Sequence, residues 1–225
     1  MTVIVGFEKA SFVVHEQLLT YHSPFFRAAL NGRFEEATKR EVRLKEVNKD
    51  TFEFFVHWLY HQRLPNENDD PRLFAMWESG NDRGDSKTTN LVYLNVFCDK
   101  YDVPALKRQS LDHLFEHLME PHTNLPSKQN SMYAFENTPD DSPLCRLLVD
   151  TYCDLASEQV WEGIGGEDWN AACEHVRTEV PLTVLKKVLL RCAGKHGPND
   201  DLDICDYHEH RDAKERQACA AKRTA

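Results

Sequence analysis

The 225-residue chain has no run approaching the roughly 18–20 apolar residues that a membrane-crossing helix needs. Its start, MTVIVGFEKASF, lacks the basic opening, long apolar stretch and small-residue cleavage site of a signal peptide. It contains no Asn-x-Ser/Thr glycosylation acceptor. Cysteine is present, but the seven residues are odd in number and irregular in spacing, which does not make a disulfide framework. Excess positive charge is missing too. The 37 acidic side chains outnumber 27 basic ones for a formal charge of −10, a poor balance for gripping a phosphate backbone. These absences lead to the expectation of a soluble protein of a reducing compartment, cytoplasmic and/or nuclear, with neither nucleic acid nor membrane as a direct partner.

Catalytic signatures are also lacking. There is no G-x-S-x-G elbow and no H-E-x-x-H. Gly163, Gly165 and Gly166 in GIGGED precede acids rather than the Lys-Ser/Thr of a phosphate loop, so they read as a turn. Cys98, Cys145, Cys153, Cys173 and Cys192 have apolar neighbours, where cysteine behaves as a small hydrophobe. One pairing invites a chemical reading: His15 and His22 lie seven apart, and His22 stands beside Ser23, in the manner of a general base beside a nucleophile.

A 41% hydrophobic and 28% charged composition is that of an ordinary folded chain. Residues 2–5 and 11–14 are short β-branched runs around Gly6 and predict a hairpin. A short helix follows over HEQLLTY. A second starts at Ser23, a capping residue, with Pro24 at the first helical position. Residues 41–44 alternate as a third strand. From Asn48 or Asp50 to about His61 runs a helix with Phe52, Phe55, Val56 and Leu59 on one stripe. Residues 65–90 read as a long polar loop with at most one helical turn near RLFAMW, in which Trp77 is expected to tuck against its own domain. Helices follow at about 89–100 and 104–118, the latter with Leu111, Leu114, Phe115 and Leu118 at core spacing. A loop is expected at 119–142, then helices near 143–159 and 180–193, then a polar tail from Gly197.

The order of elements, with FVVHEQLLTYHSPFFRAALNGRFEEATKREVRLKEVNKDTFEFFVHWLYHQRL, resembles the BTB/POZ domain. Phe12, His15, Leu18, Ser23, Phe25, Phe26, Phe34, Val42, Leu44, Phe52, Phe55, Leu59 and Tyr60 stand where that pattern has them. VFCDKYDVPALKRQSLDHL is similar to the family's next helical pair. FENTPDDSPLCRLLVDTYC resembles the extension of fungal BTB proteins. The resemblance implies an α+β fold, a small sheet of short strands capped by a helical cluster, with a C-terminal helical extension. It divides the chain into a BTB/POZ domain at 1–118, a helical extension at 119–196 and a polar Cys/His-containing tail at 197–225. It implies that His15 is packed at the start of the first helix and that His22 merely precedes a cap. The strand and helix that some family members swap across a dimer would precede the hairpin, and here Met1 already sits in it. A homo-oligomer is therefore not expected to form by that swap.

Two constellations remain. Phe34, Glu35 and Glu36 in NGRFEEA resemble the motif by which some BTB adaptors dock a cullin scaffold: an aromatic anchor fills a pocket while a neighbouring carboxylate accepts hydrogen bonds. Cys205, His208, His210 and Cys219 form C-x2-H-x-H-x8-C, two thiolates and two imidazoles, the ligand set of a tetrahedral structural zinc. The spacing is not that of a standard finger. In a strand His208 and His210 would share a face, whereas in a helix they would point about 200° apart. The expectation is a non-catalytic interaction module, an adaptor that recruits a partner to a cullin-type ubiquitin ligase. The alternatives are a self-associating transcriptional cofactor or scaffold without a ligase link and, from another class, a metal- or cysteine-dependent enzyme.

Overall fold

A computed structural model describes residues 1–31, 38–79, 86–120, 126–163, 186–188, 190–191 and 202–223. Its backbone forms two compact units, Met1–Ser110 and Leu111–Ala225. Among the described residues no helix is long and apolar enough to cross a membrane.

The first unit is built around a three-stranded sheet of order β2-β1-β3. Strand β1 (Thr2–Val5) pairs antiparallel with β2 (Ala10–Val13), Thr2 opposite Val13 and Val5 opposite Ala10. On its other side β1 pairs parallel with β3 (Glu41–Leu44), Thr2 opposite Glu41 and Val5 opposite Leu44. Gly6 turns the chain out of β1 at φ +72°, a left-handed conformation that L side chains avoid. Its amide donates to the Leu44 carbonyl at 2.9 Å, so the turn also closes onto β3. Alternation puts Val3, Val5, Val42 and Leu44 on the buried face.

That face packs against helices. Helix α1 (Glu16–His22) and α2 (Pro24–Asn31) follow the hairpin. Helix α3 (Lys49–His61) starts at Asn48, whose side chain accepts from the Asp50 amide. The expected stripe on α3 is too narrow. Phe52, Phe55 and Leu59 are buried, but so are Phe54, His57 and Trp58, and Val56 is only half-buried. Helix α5 (Ser86–Lys100) is likewise buried on several sides, through Leu91, Leu94, Asn95 and Phe97 among others. Between sheet and helices lies an aromatic cluster in which Phe55 and Phe97 are 4.8 Å apart, Phe97 and Tyr101 4.7 Å, and Phe12 and Phe52 5.0 Å. Each such ring taken from water stabilises the fold by roughly 1.5–3 kcal/mol. Two buried side chains among the helices find partners: Trp58 Nε1 donates to Gln109 Oε1 at 2.7 Å, and Asn95 Nδ2 to the Lys107 carbonyl at 2.8 Å.

The stretch expected as a polar loop, 65–90, needs correction. It holds helix α4 (Pro71–Ser79), and α5 already begins at Ser86. Asp70 starts α4 by accepting from the Arg72 and Leu73 amides, each at 3.0 Å. Leu73 and Trp77, four apart, form its buried edge, and Trp77 meets Phe54 edge to face at 5.0 Å.

The second unit opens with the end of α6 (Pro104–Leu118), where Leu111, Leu114 and Leu118 are buried. The expected loop at 119–142 also needs correction, because helix α7 (Lys128–Asn137) lies within it. Ser127 caps α7, and its inner face consists of Asn130, Ser131 and Ala134, with the Ser131 hydroxyl 3.2 Å from the Tyr152 hydroxyl. Helix α8 (Pro143–Gly163) is capped by Ser142, which accepts from the Cys145 amide at 3.2 Å. Gly163 is the last residue of α8, and Gly165 and Gly166 lie outside the described residues. The tail is not merely polar chain: a 3₁₀ turn over Ile204–Asp206 and helix α9 (Ala213–Arg223) pack together, with Ile204, Cys205 and Tyr207 buried.

Candidate functional site: a docking module and a Cys/His cluster

The histidine–serine pairing dissolves on inspection of its bonds. Ser23 is fully buried; its hydroxyl donates to the Tyr101 carbonyl at 2.6 Å and accepts from the Phe26 amide at 3.0 Å. A hydroxyl held this way caps α2 and ties it to the end of α5. His15 precedes α1, with Nδ1 2.7 Å from the Tyr60 hydroxyl; it is exposed, not packed as expected. His22 lies edge-on to Trp58 at 4.9 Å, with Nε2 3.2 Å from Gln62 Nε2. Burial lowers its pKa. Each histidine is thus engaged away from the Ser23 oxygen, with no relay through that oxygen.

The thiols of Cys98 and Cys145 are not activated nucleophiles either. Burial pushes both Cys98 and Cys145 above the usual thiol range, and a thiol needs the opposite shift to react as thiolate. Cys173 and Cys192 lie outside the described residues.

The sequence reading missed one cluster in the first unit, where His57, His61 and Asp69 converge. The His57 and His61 rings stack at 4.3 Å, and His57 Nε2 lies 3.6 Å from Asp69 Oδ2. Arg63 takes both Asp69 oxygens, at 2.6 and 2.8 Å, and the Asn66 amide adds a bond at 2.7 Å. These donors hold the Asp69 carboxyl well below its usual range. A guanidinium already occupies the carboxylate, so the group is a structural ion-pair network rather than a cation site. The i, i+4 spacing of His57 and His61 was visible in the sequence, but nothing there tied them to Asp69.

Among the described residues of the first unit, the large exposed apolar side chains are Phe7 and Val13 on the hairpin, Tyr21 and Phe25 on α1 and α2, and Tyr60 on α3. Asn31, which ends α2, leads directly toward Phe34, Glu35 and Glu36; those three lie outside the described residues. A hairpin, a third strand added parallel to it and a buried aromatic helix thus occur in the order the sequence motif predicted. A family model for the BTB/POZ domain matches residues 1–118. The chain belongs to the BTB/POZ family. No curated protein matches it significantly. BTB domains are in general protein–protein interaction modules rather than catalysts.

In the second unit the structure brings together all four candidate ligands of the tail. One atom from each of Cys205, His208, His210 and Cys219 lies within 4.8 Å of the other three. Cys205 comes from the 3₁₀ turn, where Asp203 accepts from its amide at 3.0 Å. Residues 207–210 form a bend, neither helix nor strand, so the two imidazoles reach one point despite a single intervening residue. Their rings stand 5.3 Å apart at 77°. Cys219 projects from α9, its Sγ 3.3 Å from His208 Nδ1.

Two further contacts fix this loop. His208 Nε2 is hydrogen-bonded to Asp112 on α6. The Tyr207 hydroxyl donates to Asp150 Oδ2 at 2.9 Å, while Arg191 donates to Asp150 Oδ1 at 2.6 Å. Burial and the adjoining carboxylate push the Tyr207 phenol far up, so it stays a donor. Asp150, Arg191 and Tyr207 also line a cavity of about 670 Å³ with Cys145 and Lys187.

Proposed function

We propose that this BTB protein is an adaptor that brings a partner protein to a cullin-type scaffold, docking through Phe34, Glu35 and Glu36. The observation that carries the reading is the family match over 1–118, with the aromatic–acid motif directly after α2. Tyr21 and Phe25 support it: 76% and 40% exposed on α1 and α2, the helices that precede the motif in the sequence, they offer apolar surface to a partner. Aromatic anchors carry a large share of an interface's energy. The helical second unit, whose stretch at 135–153 is similar to the extension of fungal BTB proteins, would hold the recruited partner. The compartment in this reading is cytoplasm or nucleus, and the chain itself is not an enzyme.

The test is calorimetric titration of the full chain against a cullin N-terminal domain, beside a folded Phe34→Ala, Glu36→Lys double variant. Micromolar or tighter binding that the variant loses supports the adaptor role. Absence of binding by the intact chain overturns it.

A second reading, a self-associating scaffold or transcriptional cofactor, draws on the hairpin. Phe7 is 87% and Val13 82% exposed, and β2 is an edge strand. Sizing over a range of concentrations distinguishes the two: concentration-dependent dimers abolished by Val13→Lys favour self-association.

A further inference from the structure

We propose that Cys205, His208, His210 and Cys219 bind one structural zinc ion, with Asp112 orienting His208, and that the metal fastens the C-terminal segment to the helical unit. This goes beyond the docking reading and stands independently of it.

The donor chemistry comes first. Two sulfurs and two imidazole nitrogens suit zinc over calcium or magnesium, which take oxygen ligands. Four protein ligands leave no open position, so the site is structural rather than catalytic. The geometry agrees. With Zn–N near 2.0–2.1 Å and Zn–S near 2.3 Å, a tetrahedral centre sets nitrogen and sulfur about 3.6 Å apart. His208 Nδ1 and Cys219 Sγ lie 3.3 Å apart, and all four donor atoms fall within 4.8 Å of one another. Closing around an ion therefore requires movements of only about an ångström.

The surroundings add a second, independent sign. Asp112 holds His208 through Nε2, which places the proton there and leaves the Nδ1 lone pair facing Cys219. A carboxylate behind a ligating imidazole is the usual device for fixing its tautomer and raising its basicity. Cys205 and His208 are buried, so water would not compete strongly for the ion, and Tyr207 between them is pinned by Asp150. The alternative use of the sulfurs is a disulfide, and neither Cys205 nor Cys219 is in one. No covalent change is involved beyond loss of the two thiol protons to solvent on binding.

Purification of the full chain under reducing conditions, exhaustive dialysis and metal analysis by mass spectrometry should find equimolar zinc. Apo protein titrated with cobalt(II) should show the intense visible bands of a tetrahedral ion with thiolate charge transfer. Cys219→Ser should lose most of that charge transfer, whereas Cys153→Ser, outside the cluster, should leave it unchanged. Asp112→Asn should keep the tetrahedral spectrum but weaken zinc affinity about 10–100-fold. Chelation should raise amide exchange across residues 204–223. The proposal is overturned if the reduced wild-type chain retains no stoichiometric zinc and gives only the weak spectrum of octahedral cobalt. It is equally overturned if Cys219→Ser binds as wild type does. The wild-type spectrum decides the matter even if a variant fails to fold.

Discussion

Replacing Ser23 with alanine tests the reasoning most sharply, because one hydroxyl makes two bonds at a fully buried position. The substitution removes the acceptor for the Phe26 amide, which as an N-cap contributes about 1 kcal/mol. It also removes the donor to the Tyr101 carbonyl, and leaving such a group dry costs about 1–3 kcal/mol. The expected loss is therefore about 2–4 kcal/mol, with little change in volume. Urea unfolding read by far-ultraviolet circular dichroism measures it, through a lower midpoint at an unchanged denaturant slope. Thr20→Ala is the control. Its hydroxyl bonds back to the Glu16 carbonyl within its own helix, and its loss should shift stability by no more than about 0.5 kcal/mol. A Ser23→Ala loss below about 0.5 kcal/mol would refute the capping account and reopen the question of what the hydroxyl does.

Trp77→Ala empties the space beside Phe54 and should cost about 3–5 kcal/mol in the same assay, unless α4 is not held by that ring. Gly6→Ala places a side chain at φ +72° and should cost about 1–2 kcal/mol, read as a drop in thermal midpoint; a neutral result would mean that the turn relaxes. Burial lowers the His57 pKa, and His61 and Arg63 add to the effect against the opposing Asp69 carboxylate. The unfolded chain then binds the proton more readily than the folded one, so stability is full above about pH 6.5 and falls as pH drops toward the depressed folded value. Comparing thermal midpoints near pH 7.5 and pH 5 for the wild type and His57→Gln checks this, the variant being expected to show the smaller drop.

What the sequence disclosed and what it hid follows from how local each signal is. Ser23-Pro24 and Asn48 mark helix starts through bonds made within three residues, and the α2 and α3 positions are readable from them. Helix α4 escaped because only Leu73 and Trp77 turn inward, too few points to establish a period amid acids and asparagines. Helix α7 escaped for a different reason: Asn130, Ser131 and Ala134 bury a face that carries almost no hydrophobicity. Of the Cys/His cluster, the four residue types and their neighbourhood were visible. The bend at 207–210 that aims both imidazoles inward was not, and Asp112 lies too far along the chain for any pattern to associate it with His208.

The placement of β1 between a neighbour that follows at once and another that comes much later has a consequence for synthesis. β2 can fold back onto β1 as soon as the hairpin leaves the ribosome, but β3 follows only after α1 and α2, roughly thirty residues on, at about 5–20 residues per second. For some seconds, then, the central strand carries an open edge rich in Val and Ile, and only the parallel docking of β3 closes it. Nascent chains stalled before Glu41 should accordingly recruit chaperone along that edge, and those stalled well past Leu44 should not.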